Sequence, residues 1–131
     1  MSSEKGRARI LVVDDEEDIR DVFSDVLVQS GLYEVESAWN GYEAVQKAAL
    51  GNFELILMDI AMPGMDGINT IKTLEITSPG IPILILSGYA TDEMIEEALK
   101  HGAVMALCKP VDPKTLIETV GDILKNVKHK T

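Results

Sequence analysis

The chain switches five times between a short apolar run and a segment of helical periodicity. Ile10 to Val13 is continuously apolar. Ile19, Val22, Phe23, Val26 and Leu27 then recur at i, i+3, i+4, i+7 and i+8, one stripe of an amphipathic helix. Gly31 is placed to stop that helix as a left-handed C-cap. Tyr33 to Ala38 partly alternates, with Tyr33, Val35 and Ser37 opposite Glu34, Glu36 and Ala38. Asn40 with Glu43 reads as an N-cap and capping-box acid ahead of the stripe Ala44, Val45, Ala48 and Ala49. Leu55 to Met58 is apolar again, and a turn at Pro63-Gly64 precedes a helix carrying Ile68, Ile71 and Leu74. Ile83 to Leu86 predicts a fourth strand. Met94, Ile95, Ala98 and Leu99 predict a helix ended by Gly102. Val104 to Cys108 predicts the last strand. Asp112-Pro113 is an N-cap with proline at the first helical position, ahead of Leu116, Ile117, Val120, Leu124 and Val127.

Five βα units in series imply an α/β fold: a five-stranded parallel sheet with helices on both faces, because crossovers are right-handed and must cover the sheet. Four of the strand segments are apolar throughout, as strands buried on both faces should be. The second carries charges at two positions, which places it at an edge. That fits the doubly wound, flavodoxin-like order 2-1-3-4-5. A closed barrel needs eight such units, and the pattern holds five. Residues 1–8 read as a flexible polar leader, 9–127 as one domain, and 128–131 as a polar tail.

Composition narrows the function. With 46% apolar and 26% charged residues in 131, the chain is an ordinary globular domain. Acids outnumber bases 22 to 12, for a net charge of -10, which argues against direct binding to a phosphate backbone. The longest apolar runs, Ile81 to Leu86 and Ala103 to Cys108, are too short to span a bilayer, so no membrane role is expected. Residues 1–8 contain no apolar signal-peptide region, and Cys108 has no partner cysteine; both fit a reducing cytoplasmic setting.

In doubly wound sheets, ligands bind beyond the carboxyl ends of the strands, where strand order reverses. The strand order above puts that point between the first and third strands. The first strand ends in Asp14-Asp15, the third in Asp59, the fourth in Ser87 and the fifth in Lys109. Three carboxylates, a hydroxyl and an ammonium thus meet at one sheet edge. Two carboxylates about 4 Å apart repel by roughly 4 kcal/mol at an effective dielectric near 20, so the cluster calls for a cation. Oxygen donors suit Mg²⁺ better than Zn²⁺, and no Cys or His cluster has zinc spacing. A metal beside an aspartate, with lysine and serine opposite, is the equipment of phosphoryl transfer.

At this point the chain resembles a known family, the receiver domain of response regulators in bacterial two-component (phosphorelay) signalling. The resemblance spans residues 9–127 and rests on ILVVDDE (Ile10 to Glu16), MDIAMPGMDG (Met58 to Gly67), LSGYA (Leu86 to Ala90) and Lys109-Pro110. It implies that Asp59 accepts a phosphoryl group from a phosphohistidine of a histidine kinase or phosphotransfer protein, with slow hydrolysis afterwards. It implies Mg²⁺ held directly by Asp15 and Asp59 with the Ala61 backbone carbonyl, and by Asp14 through water. Lys109 would pair with the phosphoryl oxygens, Ser87 would close onto them, and the bond before Pro110 would be cis. The readout would be a downstream output domain or target protein, met by a face made of the fourth helix, fifth strand and fifth helix.

Plainer readings apply to other residues. Glu16, Glu17, Asp18 and Asp21 suit a solvated helix start. Met58, Met62 and Met65 are expected to pack, as are Trp39 and Tyr42 near the second helix. Cys108 follows its strand's apolar pattern. His101 and His129 lie near helix C-termini, away from the site, and the lysines from Lys125 to Lys130 suit a solvated helix end. Many receivers carry Tyr or Phe three residues before the lysine. Here that position is Ala106, and Tyr89 is the nearest aromatic alternative. Two competing functions share the site: a Mg²⁺-dependent phosphohydrolase with Asp59 as nucleophile, and a pseudo-receiver that takes no phosphate. The haloacid-dehalogenase type of hydrolase needs an aspartate at position 61, where this chain has Ala61. Neither the P-loop nor the dinucleotide glycine fingerprint is present. A free-standing receiver and a receiver within a longer regulator are both compatible with these residues.

Overall fold

A computed structural model describes residues 7–61 and 66–129, with side chains to residue 126. Residues 1–6 of the leader expected over 1–8, the Pro63-Gly64 turn, the packing of Met62 and Met65, and the side chains of Val127, His129 and the tail lie outside the described residues, while Ala8 already belongs to the first strand. The elements alternate as the periodicity requires: β1 (Ala8–Val13), α1 (Glu17–Gln29), β2 (Tyr33–Ala38), α2 (Gly41–Leu50), β3 (Leu55–Met58), α3 (Gly67–Thr77), β4 (Ile83–Ser87), α4 (Asp92–Lys100), β5 (Ala103–Cys108) and α5 (Pro113–His129). All strand pairs are parallel, in the order β2-β1-β3-β4-β5.

Alternate residues of each central strand feed opposite faces. Ile10, Val12, Leu55, Leu57, Leu84 and Leu86 pack with Phe23 and Leu27 of α1 and Leu116, Val120 and Ile123 of α5. Leu11, Val13, Ile56, Met58, Ile83 and Ile85 pack with Ala44 and Ala48 of α2, Ile71 and Leu74 of α3, and Ala98 of α4. Both faces of the three middle strands are therefore dry, which explains why their sequences do not alternate in polarity.

The helix ends follow local chemistry. Gly31 has φ 79°, a left-handed conformation that costs a side-chain-bearing residue more. Asn40 accepts from the Glu43 amide at 2.7 Å, and the Glu43 carboxylate accepts from the Trp39 amide at 2.9 Å. The reciprocal bond thus reaches one residue further back than in a standard capping box. Asp112 caps α5 by accepting from the Thr115 amide at 2.9 Å. Gly67 is required by packing: a Cβ there would lie 2.4 Å from the Ile60 Cα, so α3 starts flush against the chain leaving β3.

Several expectations need correction. β5 is apolar in sequence but is not buried on both faces; Val104, Met105 and Cys108 are exposed. It is the second edge of the sheet, paired only with β4, and its outer margin meets solvent. The charges on β2 do mark an edge, and Arg9 of β1 pairs with both Glu34 and Glu36. Trp39, just before α2, and Tyr42, in its first turn, both expected to pack near that helix, are exposed. Val22, Ala49 and Leu99 fall on the solvent margins of their stripes. No helix among the described residues is long and apolar enough to cross a membrane.

Candidate functional site

Strand register builds the site. Val13 pairs with Met58, so Asp14 and Asp59 leave adjacent strands side by side. Ser87 pairs with Cys108, which puts Lys109 one residue beyond Ser87 on the outer strand. Lys109 is thus two strands from Asp59, roughly 10 Å at ordinary strand spacing, and needs its long stem to reach it. Its Nζ donates to Asp14 Oδ2 at 2.7 Å and to Asp59 Oδ2 at 2.8 Å. Both carboxylates are nearly buried, Asp14 being 2% and Asp59 8% exposed.

Each carboxylate is also held from behind. Asp59 Oδ1 accepts from the Ala61 amide at 2.9 Å, and Asp14 Oδ1 accepts from the Glu16 amide at 3.0 Å. The amides of Asp14 and Asp59 donate to Ala38 and Val13 carbonyls. Ser87 is buried at the end of β4; its Oγ accepts from the Tyr89 amide at 3.4 Å, and its carbonyl accepts from the Lys109 amide at 3.1 Å. The Lys109-Pro110 bond is cis, as the resemblance implied.

The electrostatics are unbalanced. One ammonium faces Asp14, Asp15 and Asp59, which leaves two negative charges. Burial, and then the charges of Asp14 and Asp59, hold the Asp15 carboxyl above its ordinary pKa. Burial works against the charge on Lys109, but its bonds to Asp14 and Asp59 outweigh that and raise its pKa. Carboxylate oxygens of Asp14, Asp15 and Glu16 lie within 4.8 Å of one another. The donors are all oxygen and the charge is in excess, so the residues fit a hard divalent cation such as Mg²⁺.

A cavity of about 860 Å³ opens over this cluster. Asp15, Glu16, Asp59, Ala61 and Lys109 form its polar floor. Ile19, Val22 and Phe23 of α1, with Pro110 and Val111, form an apolar wall. Gly88 and Tyr89 close the remaining side, and Tyr89 is 88% exposed.

All six expected residues, Asp14, Asp15, Asp59, Ala61, Ser87 and Lys109, therefore stand at one sheet edge. The Ser87 hydroxyl is turned to its own loop instead of to Asp59. Two residues escaped the sequence reading. Glu16 belongs to the acidic group and not only to a solvated helix start. Arg20 donates from Nη1 to the Asp14 carbonyl at 2.8 Å. A signal for Arg20 existed: it is a cation near a helix N-terminus, where the macrodipole disfavours one.

A family model described as the response regulator receiver domain matches residues 10–121. The chain belongs to the response regulator receiver domain family. This receiver is 33% identical over 117 residues to the chemotaxis protein CheY of Thermotoga maritima, covering 89% of this chain and 98% of that one. It is 37% identical over 125 residues to the transcriptional regulatory protein ZraR of Salmonella typhimurium, covering 95% of this chain but 28% of that one. The receiver thus spans about a quarter of that longer regulator's length and nearly all of the chemotaxis protein's. A CheY-like receiver domain structure from Methanospirillum hungatei superposes with a TM-score of 0.91 at 32% identity, covering 96% of this chain and all of that one. The receiver domain is a signalling module of two-component systems, and phosphorylation and Mg²⁺ dependence follow from the family.

Proposed function

We propose that this receiver takes a phosphoryl group onto Asp59 from a phosphohistidine of a histidine kinase or phosphotransfer protein. The observation that carries the reading is the Lys109 ammonium shared between Asp14 and Asp59 on the floor of an open acidic cavity. An Asp59 oxygen forms a bond to phosphorus as the phosphorus–nitrogen bond to the donor histidine breaks. The bonding electrons return to the imidazole. Lys109 stands where it can pass from carboxylate to phosphoryl oxygens, and the Ala61 amide orients Asp59 throughout. Asp15 and Asp59, with Asp14 and the Ala61 carbonyl, would hold Mg²⁺, which when bound neutralises charge on the phosphoryl oxygens. The apolar wall from Ile19 to Phe23, continued by Pro110 and Val111, supports docking of a donor protein beside the acid cluster. Incubation with acetyl phosphate should add one phosphoryl group by intact mass only when Mg²⁺ is present. A chain that gains none under any phosphodonor is a pseudo-receiver.

The new charge of about -1.5 to -2 needs donors that the resting site does not aim at it. Turning the Ser87 hydroxyl toward Asp59 breaks its bond to the Tyr89 amide and drags the loop from Gly88 to Thr91. Thr91 caps α4 through the Met94 amide, so the motion reaches α4. Ala106 offers no ring to fill the vacated space. The readout then falls on the face of α4, β5 and α5, where Leu99, Val104 and Met105 are already exposed, and where an output domain or target would dock. Amide exchange across residues 88–108 should change on phosphorylation; unchanged exchange there refutes this face.

The phosphoryl group should also be long-lived. Tyr89 stands at the cavity mouth and Ala61 has no polar side chain to orient water. Timed dephosphorylation of Tyr89→Glu and Ala61→Asn should be faster than wild type, by about tenfold if one oriented water contact is gained. Equal decay in all three proteins removes the shielding argument.

A further inference from the structure

Arg20, whose guanidinium donates to the Asp14 carbonyl, belongs to neither core cluster and does not line the acidic cavity. The ladder between β1 and β2 ends where the Asp14 amide donates to the Ala38 carbonyl, so the Asp14 carbonyl is the first beyond it on that side. Asp14 is 2% exposed, and a buried carbonyl without a donor is costly. Arg20, one turn into α1, supplies that donor at 2.8 Å. The same short turn carries the Glu16 amide to Asp14 Oδ1 and brings the carboxylates of Asp14, Asp15 and Glu16 within 4.8 Å of one another. Those like charges repel one another within the turn, and Lys109 offsets part of that repulsion through its ion pair with Asp14.

We propose that Arg20 is a positioning residue for the cation site: it clamps the β1–α1 turn so that the three acidic side chains converge. The inference rests on the reading of that site as one for a divalent cation. Charge and position have opposite signs here. A guanidinium near the site repels Mg²⁺, so as a mere charge its removal would tighten binding. As a clamp, its removal must loosen it, because partners that orient metal-ligating groups matter nearly as much as the ligands.

The test compares Arg20→Met, which removes donor and charge, with Arg20→Lys, which retains both. Calorimetric titration with Mg²⁺ should show Arg20→Met binding about tenfold more weakly, the low end for such a partner. Without Mg²⁺, the Glu16 amide should exchange about tenfold faster, as expected when about one net hydrogen bond's worth of order is lost. Arg20→Lys should stay close to wild type on both. If Arg20→Met melts too low to measure, Arg20→Leu, which likewise has no donor, carries the same two readings. Unchanged or tighter Mg²⁺ binding, or unchanged Glu16 exchange in a folded variant, overturns the role. Neither reading requires phosphoryl transfer. A wild type that binds Mg²⁺ through this turn but accepts no phosphoryl group would sink the phosphoacceptor reading and leave the clamp standing.

Discussion

Asp59→Asn should take up no phosphoryl group from acetyl phosphate and Mg²⁺, while the wild type gains one. The substitution is nearly isosteric. Its amide oxygen can still accept from the Ala61 amide, as Asp59 Oδ1 does at 2.9 Å. Lys109 keeps its bond to Asp14 at 2.7 Å, so the ammonium remains paired. What disappears is the anionic nucleophile, and a neutral amide oxygen does not replace it. The fold should survive, because removing one of three crowded carboxylates relieves repulsion. Intact mass reads the loss, and thermal melting checks that the variant is folded. A folded Asp59→Asn protein labelled to the wild-type level would place the acceptor elsewhere.

The second large effect is a trade between stability and cation binding at Asp15. Its carboxyl is held above the ordinary pKa by burial and by Asp14 and Asp59. A raised folded pKa means the native state holds that proton more tightly than the unfolded chain does. The ionised side chain therefore destabilises the fold above the raised pKa, and that cost is relieved as pH falls through it. Asp15→Asn should accordingly melt higher than the wild type at neutral pH without Mg²⁺. It should also lose Mg²⁺ binding, since the carboxylates left are poor ligands for an ion that holds its waters. In the wild type, Mg²⁺ at one hundred times its Kd stabilises by about 2.7 kcal/mol. That corresponds to roughly 10 °C in Tm for a domain of this size. Acidification through the raised Asp15 pKa should weaken Mg²⁺ binding, with about one proton taken up for each ion lost. Calorimetry and melting curves with and without Mg²⁺ measure all of this. A variant with wild-type Mg²⁺ affinity would remove Asp15 from the cation site.

Those expectations begin in residues whose chemistry the amino-acid sequence already displays. Each βα unit announced itself through a change of period, and Gly31, Asn40 and Asp112 punctuated it through purely local hydrogen bonding and backbone geometry. Asp14, Asp15, Asp59, Ser87 and Lys109 each sit one or two steps past an apolar run, and a doubly wound sheet gathers all such positions at one edge. Local pattern and strand order together were enough to name them, because neither depends on how side chains finally pack.

Burial at the margins was another matter. Val104 to Cys108 is as apolar as Leu55 to Met58, yet the first segment is half exposed and the second is dry. The difference is a neighbour on each side for β3 and on one side for β5, a property of the assembled sheet and not of either segment. Trp39 and Tyr42 stand exposed for the same reason, since an aromatic at a helix start packs only if a second surface covers it. The direction of polar side chains was equally hidden. Glu16 reads as an ordinary helix-start residue; the turn out of β1 swings it toward Asp14 and Asp15 and brings Arg20 under the Asp14 carbonyl. The chain's periodicity dictates which segments are strands and helices and which residues end them, because those follow from the repeat of the backbone itself. Which carboxylate Lys109 holds, how far the acids stand from one another and what clamps them depend on register across strands 95 and 50 residues apart in sequence, and contacts of that separation exist only once the sheet has closed.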